Sequence, residues 1–406
     1  MRDKVIVVII KAGDVGRIEF TLPIVMQKIC GQPIIEYLIG SALEVSDRQS
    51  VVILDNDNAI IPPIQGYLRG HKGYVVLMAD NIPLVQGHTL KRLIEYSREG
   101  NYDGVFLGTC ADNTAQASVC CCYAPALAEA MSEFDHNKSK PEYHLSHMLD
   151  TLTKAGKKIG VYTEYEQEET MGINTYRDQA KAQEIMKQRI NGGHLDNGVV
   201  IIDPNNTYIG PNVKIGKDAT IYPGNILEGH TTIEEGAILY QNNRIVDSRI
   251  GKEAQIQSSV VLESRVGNGT SVGPFSYIRP GSQISSKVRV GCFVEIKNSN
   301  VGEGSKVSHL TYVGDGDVGK NVNIGCGVVF VNYDGKKKHR TIVEDNAFIG
   351  CNVNLVSPVT VENDSYIAAG STITRDVPPG ALSIARAQQV NKEGWVEKHK
   401  NETEDN

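Results

Sequence analysis

The residues best suited to chemistry are one histidine and a set of basic side chains in the second half of the chain. His309 lies in the segment 308–315, where a regular pattern of aliphatic residues is interrupted. Histidine titrates near pH 6.5, which suits a general base. Arg279, Lys297 and Lys338 can supply the permanent positive charge that phosphate recognition requires. These residue types predict a general base beside a bound phosphate.

A six-residue periodicity organises the chain from about residue 209 to residue 373. Its longest uninterrupted run is Ile209, Ile215, Ile221, Leu227, Ile233, Leu239 and Ile245. This spacing is neither the 3.6 residues of a helix nor the two residues of a plain strand. It is typical of a parallel β-helix, in which each hexad supplies one short strand and its aliphatic residue points into a continuous core. With three hexads per coil, the pattern predicts roughly nine coils.

The first 174 or so residues have a different apolar pattern. Val5 to Ile10, Val51 to Leu54 and Tyr74 to Met78 are short apolar runs typical of buried strands. Residues 34–45 have the pattern of a helix, and the adjacent cysteines at 120–122 predict a further buried strand. Strands that alternate with helices predict a parallel sheet with crossover helices. This part is therefore interpreted as an α/β domain.

A helix from Thr175 to Ile190 is predicted between the α/β part and the hexads. Asn174 is a suitable N-cap, and Asn191-Gly192-Gly193 is a suitable helix stop. We expect this helix to connect two domains, and we expect the charged C-terminal end to be disordered. The predicted organisation is an α/β domain at 1–174, a linker helix at 175–194, a β-helix at 195–385 and a C-terminal tail at 386–406.

Composition and charge argue against several classes of protein. The 406 residues carry 41 basic and 48 acidic side chains, mixed along the chain, so neither a nucleic-acid surface nor a membrane surface is indicated. No apolar run approaches the roughly 18 residues of a membrane span, and the first apolar strand is too short for a secretory signal. Eight cysteines, three of them adjacent, do not have the pattern of a disulfide framework. We expect a protein of the reducing cytoplasm.

Several segments in the second half closely resemble one family. They include Ile278 to Gly281, Gly291 to Lys297, Ser308 to Asp315, Asn323 to Gly327 and Val331 to Gly335. In this order they resemble the acetyltransferase domain of the bifunctional N-acetylglucosamine-1-phosphate uridyltransferase/glucosamine-1-phosphate acetyltransferase family, over residues 195–396. The resemblance implies a left-handed β-helix, a homotrimer and acetyl-CoA between neighbouring coils. The implied reaction moves acetyl to the 2-amino group of glucosamine 1-phosphate.

The resemblance also implies roles for individual residues. His309 is expected to take the proton from the 2-amino group, and Glu295 is expected to orient it. The residues expected to contact the sugar phosphate, some from an adjacent subunit, are Arg279, Lys297, Tyr312, Asn323, Asn332 and Lys338. The residues expected to contact acetyl-CoA are Cys326, Tyr333, Cys351, Ala369 and Arg386, and Asn323 also matches a position that lines this site.

Cys326 and Cys351 stand where the family pattern has an alanine and a serine, respectively. Small residues there mainly permit close approach of acetyl-CoA, so we expect the replacements to be tolerated. A covalent acetyl-cysteine intermediate is the alternative, but the sequence pairs neither thiol with a base. We therefore expect direct transfer without a ping-pong step.

The α/β domain resembles sugar-1-phosphate nucleotidyltransferases, but it is shorter and differs at residues that would do the chemistry. In the phosphate-binding loop, Val15 and Gly16 replace a glycine and a threonine, and Ile24 replaces a lysine that would neutralise charge on the leaving pyrophosphate. Asn81 replaces the aspartate that holds magnesium, whereas Asn174 matches a second metal ligand. We therefore predict that uridylyl transfer is lost and that acetyl transfer requires no metal.

Two other functions remain open. The acceptor could be another amino sugar, or the chain could be a non-catalytic trimeric scaffold, although the intact His309 and basic residues argue against a scaffold. Weaker metal signals are set aside. His144 and His147 have no third ligand nearby in the sequence, and the run Asp55 to Asn58 has neither the glycine nor the final glutamate of a calcium loop.

Overall fold

The computed structural model describes residues 4–11, 22–54, 61–108, 118–132 and 145–404. The chain divides into two compact units, Met1–Ile190 and Asn191–Asn406. Val15 and Gly16 of the predicted phosphate loop, the run 55–58 and His144 lie outside the described residues, as does the side chain of His147. Within the described parts, no helix is both long enough and apolar enough to cross a membrane.

The described part of the N-terminal unit has a sheet of six strands in the order β4-β1-β5-β7-β6-β8 and, apart from it, a two-stranded hairpin of β2 and β3. The strands are β1 (Ile6–Ile10), β2 (Lys28–Ile29), β3 (Gln32–Pro33), β4 (Val51–Leu54), β5 (Tyr74–Ala79), β6 (Gly104–Leu107), β7 (Val119–Tyr123) and β8 (Ile159–Tyr162). The α-helices are α1 (Ile34–Leu43), α2 (Ile61–Leu68), α3 (Gly87–Glu99), α4 (Ala124–Ser132) and α5 (Leu145–Lys154), followed by α6 (Tyr176–Asp196). Short 3-10 helices occupy Ile24–Met26, Arg48–Ser50 and Gln167–Thr170.

The predicted α/β fold is confirmed, but the prediction of a parallel sheet is wrong for one strand. β1 is parallel to β4 and β5, and β6 is parallel to β8. β7 is antiparallel to both β5 and β6. Because β7 runs back beside β6, these two strands do not follow the strand-helix-strand repeat that the apolar pattern favoured.

The three adjacent cysteines lie in β7, as predicted, and are fully buried. Burial raises the pKa of the Cys121 thiol to about 12, although a hydrogen bond with Ser97 opposes the shift. A thiol in this position stays protonated and acts as a small apolar side chain. These cysteines therefore belong to the core.

Helix α6 differs from its prediction at both ends. The Asp178 carboxylate accepts hydrogen bonds from the Asn174 and Thr175 N–H groups, and the Thr175 hydroxyl accepts one from the Asp178 N–H. This is the reciprocal bonding of a capping box, so Thr175 has the N-cap role predicted for Asn174. The helix also continues through the predicted stop as far as Asp196. Asn191 is buried, and its side chain donates to the carbonyls of Pro204 and Thr207 instead of ending the helix.

The C-terminal unit is a three-sided coil of parallel strands, which confirms the hexapeptide prediction. A 3-10 turn at Pro204–Asn206 lies in its first coil. Within residues 191–404, eleven strands form the first face: Val200–Ile201, Thr220–Ile221, Ile238–Leu239, Gln255–Ile256, Ser271–Val272, Arg289–Cys292, Lys306–His309, Asn323–Ile324, Phe348–Ile349, Tyr366–Ile367 and Leu382–Ser383.

Ten strands of these residues form the second face: Tyr208–Ile209, Ile226–Glu228, Arg244–Val246, Val260–Leu262, Tyr277–Ile278, Glu295–Lys297, Tyr312–Gly314, Val329–Val331, Asn354–Val356 and Thr372–Ile373. Nine strands form the third face over the same range: Lys214–Ile215, Thr232–Ile233, Arg249–Ile250, Arg265–Val266, Gln283–Ile284, Asn300–Val301, Gly316–Val318, Thr341–Val343 and Val359–Val361.

The aliphatic residues of the hexads fill the inside of the coil. Most of them are fully buried, whereas Ile215 is half-buried. The predicted break around residues 308–315 is wrong, because Val307 and Val313 are both fully buried and continue the pattern. His309 therefore ends a strand, Lys306–His309, instead of lying in a loop. The second predicted break is real, and the chain leaves the coil at residues 332–340.

The predicted disorder of the C-terminal end is wrong for residues 397–404. A helix, α7, spans Trp395–Glu404. The Trp395 ring stacks on the His399 ring one turn later, with 4.0 Å between the ring centroids. Side chains four residues apart lie on the same face of a helix, so this contact favours the helical conformation.

A buried asparagine ladder joins successive coils and gives a prediction about stability. The Asn243 side chain donates to the Asn225 side chain (2.9 Å) and to the Tyr240 and Ile256 carbonyls, and it accepts from the Ser259 N–H. We expect Asn243→Ala to lower the free energy of unfolding by about 2–4 kcal/mol, because it leaves buried polar groups unpaired.

Urea unfolding followed by circular dichroism measures this loss. The matched control is Gln255→Ala, which removes an exposed amide from a neighbouring coil. Equal unfolding midpoints for the two variants would show that the ladder does not stabilise the coil.

Candidate active site

Four of the residues predicted for the catalytic and acetyl-CoA sites lie, together with Cys292, in one column along the first face. The column is Cys292, His309, Cys326, Cys351 and Ala369. Backbone hydrogen bonds join each member to the next. In each case the acceptor is the carbonyl of one member, and the donor is the N–H of the residue that directly follows the next member. The donors are the N–H groups of Leu310 (3.0 Å), Gly327 (3.3 Å), Asn352 (2.7 Å) and Gly370 (2.8 Å).

Close stacking of the coils depends on the glycines that precede two of these residues. A Cβ on Gly325 would lie 2.7 Å from the Cys351 nitrogen, and a Cβ on Gly350 would lie 2.6 Å from the Ala369 nitrogen. Such distances are far below van der Waals contact. Only glycine therefore fits at these positions, and the small column residues line an open edge of the coil.

The imidazole of His309 contacts the Cys292 thiol. The Cys292 Sγ atom lies 3.4 Å from His309 Nδ1, and the two residues are register partners in adjacent strands. After His309 the chain turns towards the second face at Leu310, whose φ is 47°, a costly conformation for a branched residue. The ring therefore lies at the corner between the first and second faces.

Glu295, which was predicted to orient His309, has a different partner in this chain. Its Oε1 atom lies 2.7 Å from Arg279 Nη1. Among the described residues no hydrogen bond joins Glu295 to His309. The carboxylate instead fixes one of the predicted phosphate-binding cations, and this ion pair raises the pKa of Arg279.

Most of the predicted sugar-phosphate residues come together on the second face. Lys297 Nζ lies 3.3 Å from Asp315 Oδ2, and Asn332 Nδ2 donates to the same oxygen at 2.6 Å. The Asn332 amide also lies 3.5 Å from the Tyr312 hydroxyl. Lys338 contacts Lys297. Lys297 and Lys338 thus lie beside the buried Asp315 carboxylate, and Arg279 is close enough to affect the charge of Lys338. These three residues are called here the cation cluster.

The electrostatics of the cluster follow from Asp315. Burial opposes ionisation of this carboxyl group, but hydrogen bonds from Asn298, Lys297 and Asn332 outweigh it and lower its pKa. Contact with Lys338 and then with Asp315 raises the pKa of Lys297, whereas contact with Lys297 lowers the pKa of Lys338. The three cations of the cluster face two carboxylates, Asp315 and Glu295, so the cluster keeps a net positive charge and can bind an anion.

The segment 332–340 that carries Lys338 is folded around Asp334. The Asp334 carboxylate accepts hydrogen bonds from the N–H groups of Lys336 and Lys337, both at 2.7 Å, and it contacts His339 Nε2 at 2.7 Å. These interactions, the N–H of Lys337 first, lower the pKa of Asp334. Arg340 closes the segment with a two-point contact to the Asp317 carboxylate.

Of the remaining predicted residues, Asn323 and Arg386 lie with the first-face column, whereas Tyr333 forms an antiparallel bridge with Lys338 of the cation cluster. Asn323 lies on a strand of the first face, three residues before Cys326. Tyr333 is exposed near the start of the segment 332–340, and its hydroxyl donates to the Gly335 carbonyl. Arg386 lies beside Gly370, next to Ala369 at the far end of the column.

Sequence reasoning assigned no role to Cys292 or Asp315. Cys292 precedes His309 by 17 residues, and Asp315 precedes Asn332 by 17 residues. That spacing is one turn of this coil, so the hexad register could have identified both contacts. The residue types alone gave no signal, because a single cysteine or aspartate usually has a structural or solvent-exposed position.

In the N-terminal unit, Asn81, which stands in place of the magnesium-binding aspartate, contacts Asn174, the one predicted remnant of the metal site. The Asn81 Nδ2 atom lies 3.2 Å from Asn174 Oδ1 and 3.5 Å from the Ile173 carbonyl oxygen. Ile24, which stands where the resembled family has a lysine, is buried. Among the described residues, no group of three or more His, Cys, Asp or Glu side chains could hold a metal ion.

Comparison with known proteins identifies the family. A family model described as bacterial transferase hexapeptide (six repeats) matches residues 340–375. The bifunctional protein GlmU of Clostridium acetobutylicum is 40% identical over 447 aligned residues, covering 96% of this chain and 98% of that protein. The GlmU proteins of Clostridium tetani and Clostridioides difficile are 42% and 40% identical, with 96% and 98% of this chain covered and 98% of each relative. The chain belongs to the GlmU family.

Membership of the GlmU family confirms the resemblance seen in the sequence. The three-sided coil is the predicted left-handed parallel β-helix, and the chain is an acetyltransferase enzyme of the GlmU type. The alignment with the GlmU of Clostridium acetobutylicum spans 447 positions, more than the 406 residues of this chain. That GlmU relative therefore carries segments that this chain lacks.

Proposed function

We propose that the chain transfers acetyl from acetyl-CoA to the 2-amino group of glucosamine 1-phosphate and that it has no uridylyltransferase activity. The observation that carries the first part is that His309 ends a first-face strand, and that the second-face strand following it, Tyr312–Gly314, leads to the cation cluster. A base and an anion site on adjacent faces of the coil suit an acceptor with both an amine and a phosphate. Acetyl-CoA is a substrate here, and the column of small residues provides its approach.

His309 acts as the general base in this proposal. An amine of this kind titrates near pH 7–8, so much of it reaches the enzyme as an ammonium ion that cannot attack. The imidazole takes the amine proton while the nitrogen attacks the thioester carbonyl. The carbon–sulfur bond then breaks and the CoA thiolate leaves, taking a proton. No covalent enzyme intermediate is required.

The cation cluster holds the phosphate and so fixes the distance between the amine and His309. Arg279 is oriented by Glu295, and Lys297 by Asp315, so both cations are positioned before the substrate arrives. Positioned charges cost little reorganisation when they bind an anion. Two of the three cations are thereby tied to carboxylates, and Lys338 adds the third charge.

An acceptor panel tests the function. Release of the CoA thiol is measured with glucosamine 1-phosphate, glucosamine, glucosamine 6-phosphate and other amino sugars. We expect glucosamine 1-phosphate to have the highest kcat/KM. We expect Lys297→Met to lower kcat/KM for glucosamine 1-phosphate by about 10-fold to 100-fold, because a charge-assisted contact is lost, and to change that for glucosamine far less.

Lys252→Met is the control, since it removes an exposed lysine paired with Glu235 on another part of the coil. A different preferred amine would establish the alternative acceptor. Turnover with none of the amines would favour the scaffold, and a binding assay with acetyl-CoA would then check whether the column takes the thioester at all.

The assembly proposed for this enzyme is a homotrimer in the cytoplasm, with residues 195–385 as the acetyltransferase domain. Asn323 and Arg386 lie with the first-face column and not with the cation cluster of the same chain, which fits a site that adjacent subunits complete. Free cysteines, including Cys292 and Cys351, suit a reducing compartment. Neither a nucleic acid nor a membrane is proposed as a partner.

The proposed loss of uridylyl transfer depends on the N-terminal unit. It is supported by the contact between Asn81 and Asn174 and by the buried Ile24. The N-terminal unit retains an α/β fold.

A further inference from the structure

We propose that Cys292 is the positioning residue for the general base, His309. Its sulfur accepts a hydrogen bond from the Nδ1–H group of the ring, and this contact leaves Nε2 free to take the proton of the acceptor amine. The inference rests on the proposed acetyl transfer and adds a residue to its machinery.

The geometry of the contact is set by the backbone. Cys292 and His309 end neighbouring strands of the first face and are register partners. The N–H of Leu310 donates to the Cys292 carbonyl at 3.0 Å, and the Thr311 hydroxyl donates to the His309 carbonyl at 2.6 Å. These bonds fix the backbone of both residues within the coil. The two side chains therefore start from fixed positions, with Sγ and Nδ1 3.4 Å apart.

The chemistry of a histidine base requires such a partner. A neutral imidazole carries its proton on one nitrogen only, so the nitrogen that holds it cannot act as the base. A hydrogen bond to Nδ1–H fixes both the tautomer and the ring orientation. A carboxylate or carbonyl often makes this bond in enzymes. Glu295, the carboxylate predicted for the role, is instead bonded to Arg279.

Direct acyl transfer to Cys292 is the competing role for the same pair. In that sequence His309 would take the thiol proton, the sulfur would attack the thioester carbonyl, and CoA would leave before the amine arrives. Attack would exchange one thioester for another, and the ring would then have to release its proton before it could accept one from the amine. Positioning requires neither extra step.

Two substitutions of Cys292 separate positioning from a purely structural role. We expect Cys292→Ala to lower kcat for acetyl transfer by about 10-fold, as for other residues that orient a functional histidine, with little change in KM for either substrate. We expect Cys292→Ser to retain most of the activity, because a hydroxyl oxygen also accepts a hydrogen bond. Cys30→Ser, in the other unit, is the control and should match the parent enzyme.

A second measurement does not depend on acetyl transfer. Alkylation of each cysteine by iodoacetamide is timed by mass spectrometry of the full chain, in the parent and in His309→Ala. An imidazole N–H that donates to a sulfur stabilises the thiolate, which is the form that reacts with iodoacetamide, and so speeds alkylation. We expect Cys292 to react several-fold more slowly in the variant. Cys351, which lies two coils from His309 in the same column, provides the internal reference.

The outcomes are distinct. Parental kcat in Cys292→Ala, or equal losses in the Ala and Ser variants, would overturn the positioning role. An acetyl group on Cys292 in quenched parent enzyme would overturn it in favour of a nucleophile. Unchanged alkylation of Cys292 in His309→Ala would show that the two side chains do not interact. If the parent acetylates no amine but the alkylation rates differ as expected, the proposed function fails while the contact stands.

Discussion

His309→Ala is expected to lower kcat for acetylation of glucosamine 1-phosphate by about 100-fold or more at neutral pH, which is the usual contribution of a positioned general base. The loss should fall mainly on kcat, because the cation cluster that binds the phosphate is unchanged. The residual activity should rise with pH, since a larger share of the acceptor is then the free amine and needs no base. Steady-state kinetics between pH 6 and 9 measures both effects.

The control for this substitution is His230→Gln, which replaces an exposed histidine elsewhere on the coil. It should have parental kinetics over the same pH range. Acetyl transfer by His309→Ala within about threefold of the parent would place the base elsewhere, because a loss that small is far below general-base catalysis. A loss confined to KM would indicate that His309 binds substrate and does not move a proton.

The coil could be predicted from the sequence because its rule is local. One buried aliphatic residue every six positions specifies a strand, a turn and a direction, and residues such as Leu239 and Ile296 satisfy it without reference to distant parts of the chain. The apparent break at residues 308–315 was an error of register. Val307 and Val313 occupy core positions, and the step from Val313 to the next buried valine, Val318, is one residue shorter.

Features that depend on contacts between distant residues were harder to predict. The antiparallel direction of β7 and the continuation of α6 past Asn191 both follow from tertiary packing, which overrides local turn and cap preferences. The sequence predicted which residues form the site, but not which of their side chains contact each other. Glu295 bonds Arg279 and Cys292 takes its place beside His309, and only the register of adjacent coils distinguishes these partners.

The chain is expected to release no pyrophosphate from UTP and N-acetylglucosamine 1-phosphate in the presence of magnesium. Magnesium sites in nucleotide enzymes rely on carboxylate oxygens. Asn81 offers a neutral amide instead, and its Nδ2 atom is directed at Asn174 Oδ1. Ile24 is buried and carries no charge, so no lysine there can balance the leaving pyrophosphate. A coupled pyrophosphate assay measures the activity.

The same enzyme preparation must acetylate glucosamine 1-phosphate, so that an inactive result cannot be attributed to misfolding. Asn81→Asp is the informative variant, because it restores a carboxylate without filling a cavity or adding bulk. We expect it to strengthen binding of Mn²⁺, followed by electron paramagnetic resonance, and still to release no pyrophosphate, since the charge missing at Ile24 is not restored. Magnesium-dependent turnover by the parent chain would instead mean that Asn81 and Asn174 can separate and hold the ion with water and phosphate oxygens as the other ligands.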